Sequence, residues 1–153
     1  MKKTLARAAD TAEILSRLQA VGPESARRWG TMSAHQMVCH LSDAFRMGMG
    51  RMAVSPASGL FQRTLLKWVA LHVSIHWPAG VRTRPEIDQA VAGTRPAEFA
   101  ADVRALEALV RDVTMRPRGF EWEHHPIFGP LSDADWLRWG YLHMDHHLRQ
   151  FGC

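Results

Sequence analysis

The stretch SDADWLRWGYLHMDHHLRQFG, from Ser132 to Gly152, decides the fold. Ser132 is followed three residues later by Asp135, a spacing typical of a helix start in which side chain and backbone cap each other. Trp136 and Trp139 then begin a stripe of residues at helical spacing. Because both are large apolar side chains, we expect this stripe to face the interior of a helical protein rather than solvent.

Other stretches of the chain repeat the helical periodicity, and none alternates as a strand does. The apolar or capping positions are Thr11, Ile14, Leu18 and Val21 in the first stretch, Ser33 with Gln36 and a run to Gly48 in the second, Phe99, Val103, Leu106, Val110 and Val113 in the third, and Leu65, Leu66, Val69 and Val73 in a shorter one within Leu60–Trp77. Long connections separate some of these stretches. The sequence therefore predicts an all-α fold, a four-helix bundle with long crossover connections and an extra short helix, as a single domain over residues 1–153.

Composition and charge exclude several classes of protein. The 153 residues carry 19 Lys and Arg against 15 Asp and Glu, a formal charge of +4. The arginines are scattered and often lie near acidic residues, so we expect no nucleic-acid partner. The most apolar stretch, Leu60–Trp77, contains Arg63 and Lys67, which argues against a membrane span. The opening MKKTLA is followed by charged residues where a signal peptide needs an apolar core. Since Cys39 and Cys153 are too few for a disulfide framework, we expect a cytoplasmic protein.

His143 and His147 are four residues apart on the predicted last helix. A rotation of about 100° per residue places them within about 40° on one face, separated by a rise of about 6 Å. Two imidazoles at this spacing can bind one metal ion. The alternative is that both bond to neighbouring groups, since a sequence with nine histidines produces such pairs by chance, as His72 and His76 do.

His40 strengthens the metal hypothesis because it lies on the otherwise apolar stripe of the second predicted helix. A buried imidazole needs a partner for each ring nitrogen, and a missing partner costs about 1–3 kcal/mol. One divalent ion shared by His40, His143 and His147 would satisfy all three rings. The alternative for His40 is a bond to a backbone or side-chain oxygen.

Three further residues are candidates for a supporting role around such a site. His146 lies at the edge of the histidine stripe, and Gln150 follows His147 by one turn, where capping or packing is the alternative. Asp43 follows His40 by three residues and would orient a water molecule or an imidazole, or else is a surface acid.

Cys39, His124 and His125 are weaker candidates. Cys39 is about 100° away from His40 on the helix, so we expect a small buried apolar side chain rather than a nucleophile. His124 and His125 would line the rim of a pocket, with loop packing as the alternative.

Three motifs resemble a known group of proteins. WGTMSAHQMVCHL (Trp29–Leu41) resembles the entry to the second helix in the DinB-like superfamily of metal-binding four-helix bundles, and HMDHHLRQFG (His143–Gly152) resembles its last-helix signature. HPIFGPLSDADW (His125–Trp136) is similar to a loop found in an uncharacterised bacterial branch of that superfamily. The resemblance spans nearly the whole chain, although Met52–Pro96 matches poorly.

The resemblance implies that the metal ligands are His40, His143 and His147. Members hold a divalent ion, often nickel or zinc, with the remaining positions open to water. Characterised relatives include transferases and isomerases that use a low-molecular-weight thiol such as bacillithiol, mycothiol or glutathione. A small-molecule substrate, a thiol cosubstrate and a homodimer are thus expectations of the resemblance. Many relatives have no established activity, so the fold alone does not settle the function.

Three functional hypotheses follow. The favoured one is a metal-dependent enzyme of the thiol-transferase or hydrolase type, which predicts a metal site with an open position beside an apolar cavity. The second is a metal- or small-ligand-binding protein without turnover, which predicts a closed coordination sphere or no cavity. The third is an association module with structural histidines, which predicts a large exposed apolar face.

Overall fold

The computed structural model describes residues 2–57, 59–73, 76–81 and 83–153. Within these ranges the chain forms five α-helices and no strand, which confirms the all-α prediction. The helices are α1 (Ala8–Gln19), α2 (Ala34–Gly48), α3 (Lys67–His72), α4 (Phe99–Thr114) and α5 (Asp133–Gln150). A π-helical turn, Gln62–Leu66, leads directly into α3, and a 3-10 turn, Pro85–Ile87, lies in the connection between α3 and α4.

The helices that carry the candidate histidines begin where the capping patterns predict. At the start of α2, Ser33 Oγ accepts from Gln36 N at 3.1 Å, while the Gln36 side chain accepts from Ser33 N at 2.8 Å. Ser132 and Asp135 make the same reciprocal pair at the start of α5. A cap of this kind stabilises a helix by about 1 kcal/mol. These two starts fix the register of the histidine stripes.

Helix α2 is the central element of the fold. Twelve of its fifteen residues are buried, so both of its faces have neighbours. It packs against α4 and α5, and α1 packs against α5. The main core combines residues from these four helices, including Ile14, Leu18, Met37, Leu41, Leu106, Val110, Met144 and Leu148. The contact of α2 with α5 brings His40 towards the histidines of the last helix.

The segment predicted as a short helix over Leu60–Trp77 is helical from Leu60 to His72, with a π-helical turn in its first part. Residues 74 and 75 of that prediction lie outside the described residues, as does Met1 of the opening MKKTLA. Leu65 is exposed, and Leu71 is fully buried. Among the described helices, none has the length and apolar character that a membrane crossing requires.

Candidate metal centre

The structure brings His40, His143 and His147 together between α2 and α5, and we call them the histidine triad. One ring nitrogen from each lies within 4.8 Å of those of the other two. The Nε2 atoms of His40 and His143 are 3.2 Å apart. The three ring centroids are 4.8–5.0 Å from one another. This arrangement can hold a metal ion.

Two imidazoles of the triad are held from behind by oxygen atoms. His40 Nδ1 is 2.8 Å from the carbonyl oxygen of Ile87, and His147 Nδ1 is 2.9 Å from Gln150 Oε1. Because an oxygen of this type only accepts, each Nδ1 carries the hydrogen and donates it. The Nε2 atom of each ring therefore offers a lone pair. The alternative that His40 bonds to a backbone oxygen is correct for Nδ1, and it leaves Nε2 available.

The spacing of the Nε2 atoms suits a shared cation. Two imidazole nitrogens at about 2.0–2.1 Å from one tetrahedral ion are about 3.4 Å apart. The observed separation of 3.2 Å between His40 and His143 is close to that value. Without an ion, a proton must lie between these two nitrogens, because two lone pairs at this distance repel each other.

Burial favours the neutral imidazole, which is the form that binds metals. Burial is the largest cause that lowers the pKa of His40, and it lowers the pKa of His143 and His147 well below the ordinary value. The mutual proximity of the rings lowers the pKa of His143 and His147 further. The triad is thus uncharged at neutral pH, and each neutral ring has one nitrogen lone pair.

Gln150 connects the triad to the loop before α2. Its Oε1 accepts from His147, and its Nε2 donates to the carbonyl oxygen of Trp29 at 2.8 Å, which fixes the orientation of the amide. Gly30 follows with φ 76°, and a Cβ built there would lie 2.6 Å from Gln150 Nε2. A side chain at this turn would therefore be strained and would displace the partner of His147.

Asp43 is hydrogen-bonded to the connection that also contacts His40. Its side chain is 0 % exposed, so the alternative of a surface acid is wrong. The carboxylate accepts from the backbone N and the hydroxyl of Thr94 at 2.8 and 2.6 Å and from Gln89 Nε2 at 2.9 Å, and it pairs with Arg46. These bonds hold the loop that supplies the Ile87 carbonyl to His40. The carboxylate also raises the pKa of His40, against the larger effect of burial.

His146 lies beside the triad without joining it. Its ring packs against Trp29 and Trp77, with centroids 5.9 and 6.3 Å away, and lies 5.1 Å from the ring of His147. Its Nδ1 is buried and has no hydrogen-bond partner within the described part of the chain. Burial and then the charge of Arg149 lower its pKa.

The remaining histidine candidates separate by exposure. His125 is buried, and its Nδ1 accepts from the backbone N atoms of Ile127 and Phe128 at 3.1 Å each, so it does pack the loop. Burial lowers its pKa to about 3. His124 is exposed.

Cys39 is not activated as a nucleophile. Burial and the nearby Asp102 carboxylate raise the pKa of its thiol to about 12, so the thiolate is scarce at neutral pH. The expectation of a small buried side chain directed away from the triad agrees with its contact to α4.

A cavity of about 800 Å³ adjoins the triad, and all three histidines line it. Most of its lining is apolar, including Trp29, Trp77, Trp139, Phe128, Met32 and Val69. Two polar residues that the sequence analysis missed, Arg84 and Gln89, also line it. They lie in a connection without periodicity, so no local pattern marks them. A cavity of this size accommodates a small organic molecule.

Comparison with known proteins places the chain in a family without assigning an activity. A family model described as "Protein of unknown function (DUF1569)" matches residues 3–152. The expected similarity to an uncharacterised family is confirmed at this level. No curated protein and no solved structure gives a significant match. Because the family model covers nearly the whole sequence, the chain belongs to the DUF1569 family.

Proposed function

We propose that this protein is a metal-dependent enzyme of the DinB-like superfamily, with α1, α2, α4 and α5 as its four-helix bundle. The observation that carries the proposal is the convergence of three neutral imidazoles on the wall of a large, mainly apolar cavity. Structural metal sites are usually closed by four protein ligands, whereas three ligands are typical of catalytic sites. We propose nickel or zinc as the ion, since imidazole donors suit both.

An ion bound to the triad would supply Lewis-acid chemistry, since a divalent cation with neutral ligands lowers the pKa of a thiol or a water molecule that it holds. The residues around the triad orient its rings and keep them able to bind an ion. Ile87 and Gln150 orient two of the rings, and burial keeps the imidazoles deprotonated. Trp139 packs against His143 with ring centroids 4.6 Å apart and limits access of water to that side.

The cavity indicates the chemistry of the substrate. Within the described residues, three buried polar atoms of its lining residues lack a hydrogen-bond partner, namely Arg84 Nε, Gln89 Oε1 and His146 Nδ1. Unpartnered buried polar atoms are costly, and a ligand can satisfy them. We infer a small substrate with an apolar body and a polar group that accepts from Arg84 and donates to Gln89. A low-molecular-weight thiol is the proposed cosubstrate for an S-transfer, and water is the nucleophile if the reaction is a hydrolysis.

A homodimer and a cytoplasmic location belong to the same proposal. The resemblance to the DinB-like superfamily supports the dimer. Two cysteines, both unpaired, support a reducing compartment.

The test starts from metal analysis of protein without a polyhistidine tag, because a tag would bind metal itself. We expect a tightly bound ion that His147→Ala removes and that His124→Ala, at an exposed position, retains. Metal-loaded protein is then incubated with bacillithiol, mycothiol or glutathione and a panel of apolar electrophiles, and with esters and amides without thiol. Loss of free thiol, or hydrolysis, that depends on His147 supports the enzyme.

Two outcomes contradict the proposal in different ways. If His147→Ala leaves the metal content unchanged, the triad is not the site. If the ion is bound at the triad but no thiol, ester or amide is consumed, the alternative applies, which is a bundle that binds a metal or a small ligand without catalysis.

A further inference from the structure

A second group of donor atoms lies on the face of α2 that packs against α4. His35 and Cys39 are one turn apart on α2, and Asp102 belongs to the first turn of α4. Asp102 Oδ2 is 2.7 Å from His35 Nε2 and 3.7 Å from Cys39 Sγ. One ligand atom from each residue lies within 4.8 Å of the others.

We propose that His35, Cys39 and Asp102 form a second site for a thiophilic divalent cation such as zinc, separate from the histidine triad. We call these residues the second donor cluster. Imidazole nitrogen, thiolate sulfur and carboxylate oxygen are the three protein donors that zinc uses. Bond lengths of about 2.0–2.3 Å place neighbouring ligand atoms of a tetrahedral zinc site about 3.3–3.7 Å apart. The contact of Cys39 with Asp102 already has that length.

The charges of the cluster suit a dication. A thiolate and a carboxylate together neutralise a charge of 2+, whereas the triad offers only neutral rings. Cys39 is 2 % exposed, while the side chains of His35 and Asp102 are about one-fifth to one-quarter exposed. A cation can therefore reach the cluster from solvent between those two side chains, and a water molecule can complete its coordination.

Binding exchanges protons for the cation. The thiol of Cys39 loses its proton to solvent as the sulfur–metal bond forms, and the hydrogen bond between His35 and Asp102 opens as both become ligands. The bond from Ala97 N to Asp102 Oδ2, 3.1 Å long, also competes with the cation. Because these hydrogen bonds have to give way, we expect the second donor cluster to bind more weakly than the triad.

A cation bound at the second donor cluster would connect α4 to α2. Phe99, the first residue of α4, already contacts the His35 ring edge-on, with centroids 5.3 Å apart. A cation bound to side chains of both helices would add a cross-link between them. Since a ligand that binds only the folded state stabilises it by mass action, the free energy of unfolding should rise with the concentration of the cation.

Cobalt(II) distinguishes the two sites because cobalt bound to a thiolate gives an intense sulfur-to-metal charge-transfer band in the near ultraviolet, and cobalt bound to imidazoles alone does not. Metal-free protein is titrated with cobalt chloride. We expect the band to appear after the first equivalent, when the tighter triad is filled. A His143→Ala variant should keep the band while it binds one equivalent less.

The matched variants assign the band. Cys39→Ser should abolish it, whereas Cys153→Ser, at the other cysteine, should leave it unchanged. His35→Ala and Asp102→Asn should weaken cobalt binding at the band by at least about tenfold, the loss seen when even an indirect partner of a metal is removed. Absence of the band in the wild-type protein overturns the proposal without any variant. Survival of the band in Cys39→Ser, or its loss in His143→Ala, also overturns it.

Discussion

The donor atoms on the two faces of α2 have different hydrogen-bond partners. On the face towards α5, oxygen atoms hold His40 and His147 from behind, and the forward nitrogens meet one another with no carboxylate between them. On the face towards α4, the carboxylate of Asp102 accepts directly from His35 and Cys39. In the first arrangement the forward nitrogens of His40 and His143 bond only to each other, and in the second a carboxylate accepts from both donors.

The difference teaches that nearness of ligand atoms is a poor measure of affinity for a metal. A site is prepared for a cation when its ligands are oriented by other groups and no carboxylate already occupies the space between them. By that criterion the triad is prepared, and the second donor cluster must rearrange. The following experiments test this contrast, from the largest expected effect to the smallest.

The largest effect is expected from the loss of a triad ligand. His143→Ala should lower the zinc content by one equivalent per chain, because the two remaining imidazoles provide too few ligands for tight binding. The helical content, measured by circular dichroism, should stay close to that of the wild type, since His143 is partly exposed and caps no helix. The contrast breaks down if Asp102→Asn removes the tightly bound ion instead.

A smaller effect is expected when the ligands stay and one support is removed. Gln150→Leu deletes the oxygen that orients His147, and we expect the zinc affinity of the triad to fall by about 10–100-fold. A competition titration against a chromophoric chelator measures this change. Gln19→Leu, at an exposed glutamine of α1 that bonds to Glu107, is the matched control and should leave the affinity unchanged. Equal affinity in Gln150→Leu would mean that packing alone orients the ring.

Acid should weaken the metal-free protein through the triad. Burial lowers the pKa of its three imidazoles, whereas an imidazole of the unfolded chain takes up a proton near pH ~6.5. At acid pH the unfolded state then binds more protons than the folded state. The contribution of these histidines to the free energy of unfolding is therefore complete above about pH 6.5. As the pH falls below that value, the free energy of unfolding decreases by up to ~1.4 kcal/mol per pH unit for each histidine.

Urea unfolding at about pH 7.5 and 5.5 measures this loss. His143→Gln should reduce the difference between the two conditions by about 1 kcal/mol, since one imidazole with a lowered pKa is gone. His76→Gln, at an exposed histidine, should leave the difference as in the wild type. An unchanged difference in His143→Gln would show that the triad is not the source of the acid sensitivity.

The smallest effect is expected at His146. His146→Ala should leave the zinc content unchanged, because this ring packs against tryptophans and is not one of the converging three. Elemental analysis decides the point. Loss of the ion in this variant would mean that the last helix presents a different histidine pair to the metal.

The sequence predicts most of what lies on the regular helices. The capping patterns at Ser33 and Ser132 set the helix starts, and the helical period then puts His40, His143 and His147 on inward stripes. Gln150 is found in the same way, because it follows His147 by one turn. In these cases the information is local, so a single sequence contains it.

What the sequence does not predict depends on contacts between distant segments. The carbonyl of Ile87 reaches His40, and Gln89 and Thr94 reach Asp43, across about fifty residues and from a connection without periodicity. The second donor cluster has a local signal, since His35 and Cys39 are four residues apart, but its third member requires the packing of α4 on α2. When tertiary structure brings distant side chains together, no spacing in the sequence predicts their contact.

The turn at Gly30 has a consequence for genetic experiments on this protein. The residue has no donor atom, yet it lies against the amide that orients a ligand more than a hundred positions later in the chain. In a library of all single substitutions sorted by zinc loading, replacements at this glycine should be depleted alongside those of the three histidines. A survey guided only by ligand chemistry would pass over the position.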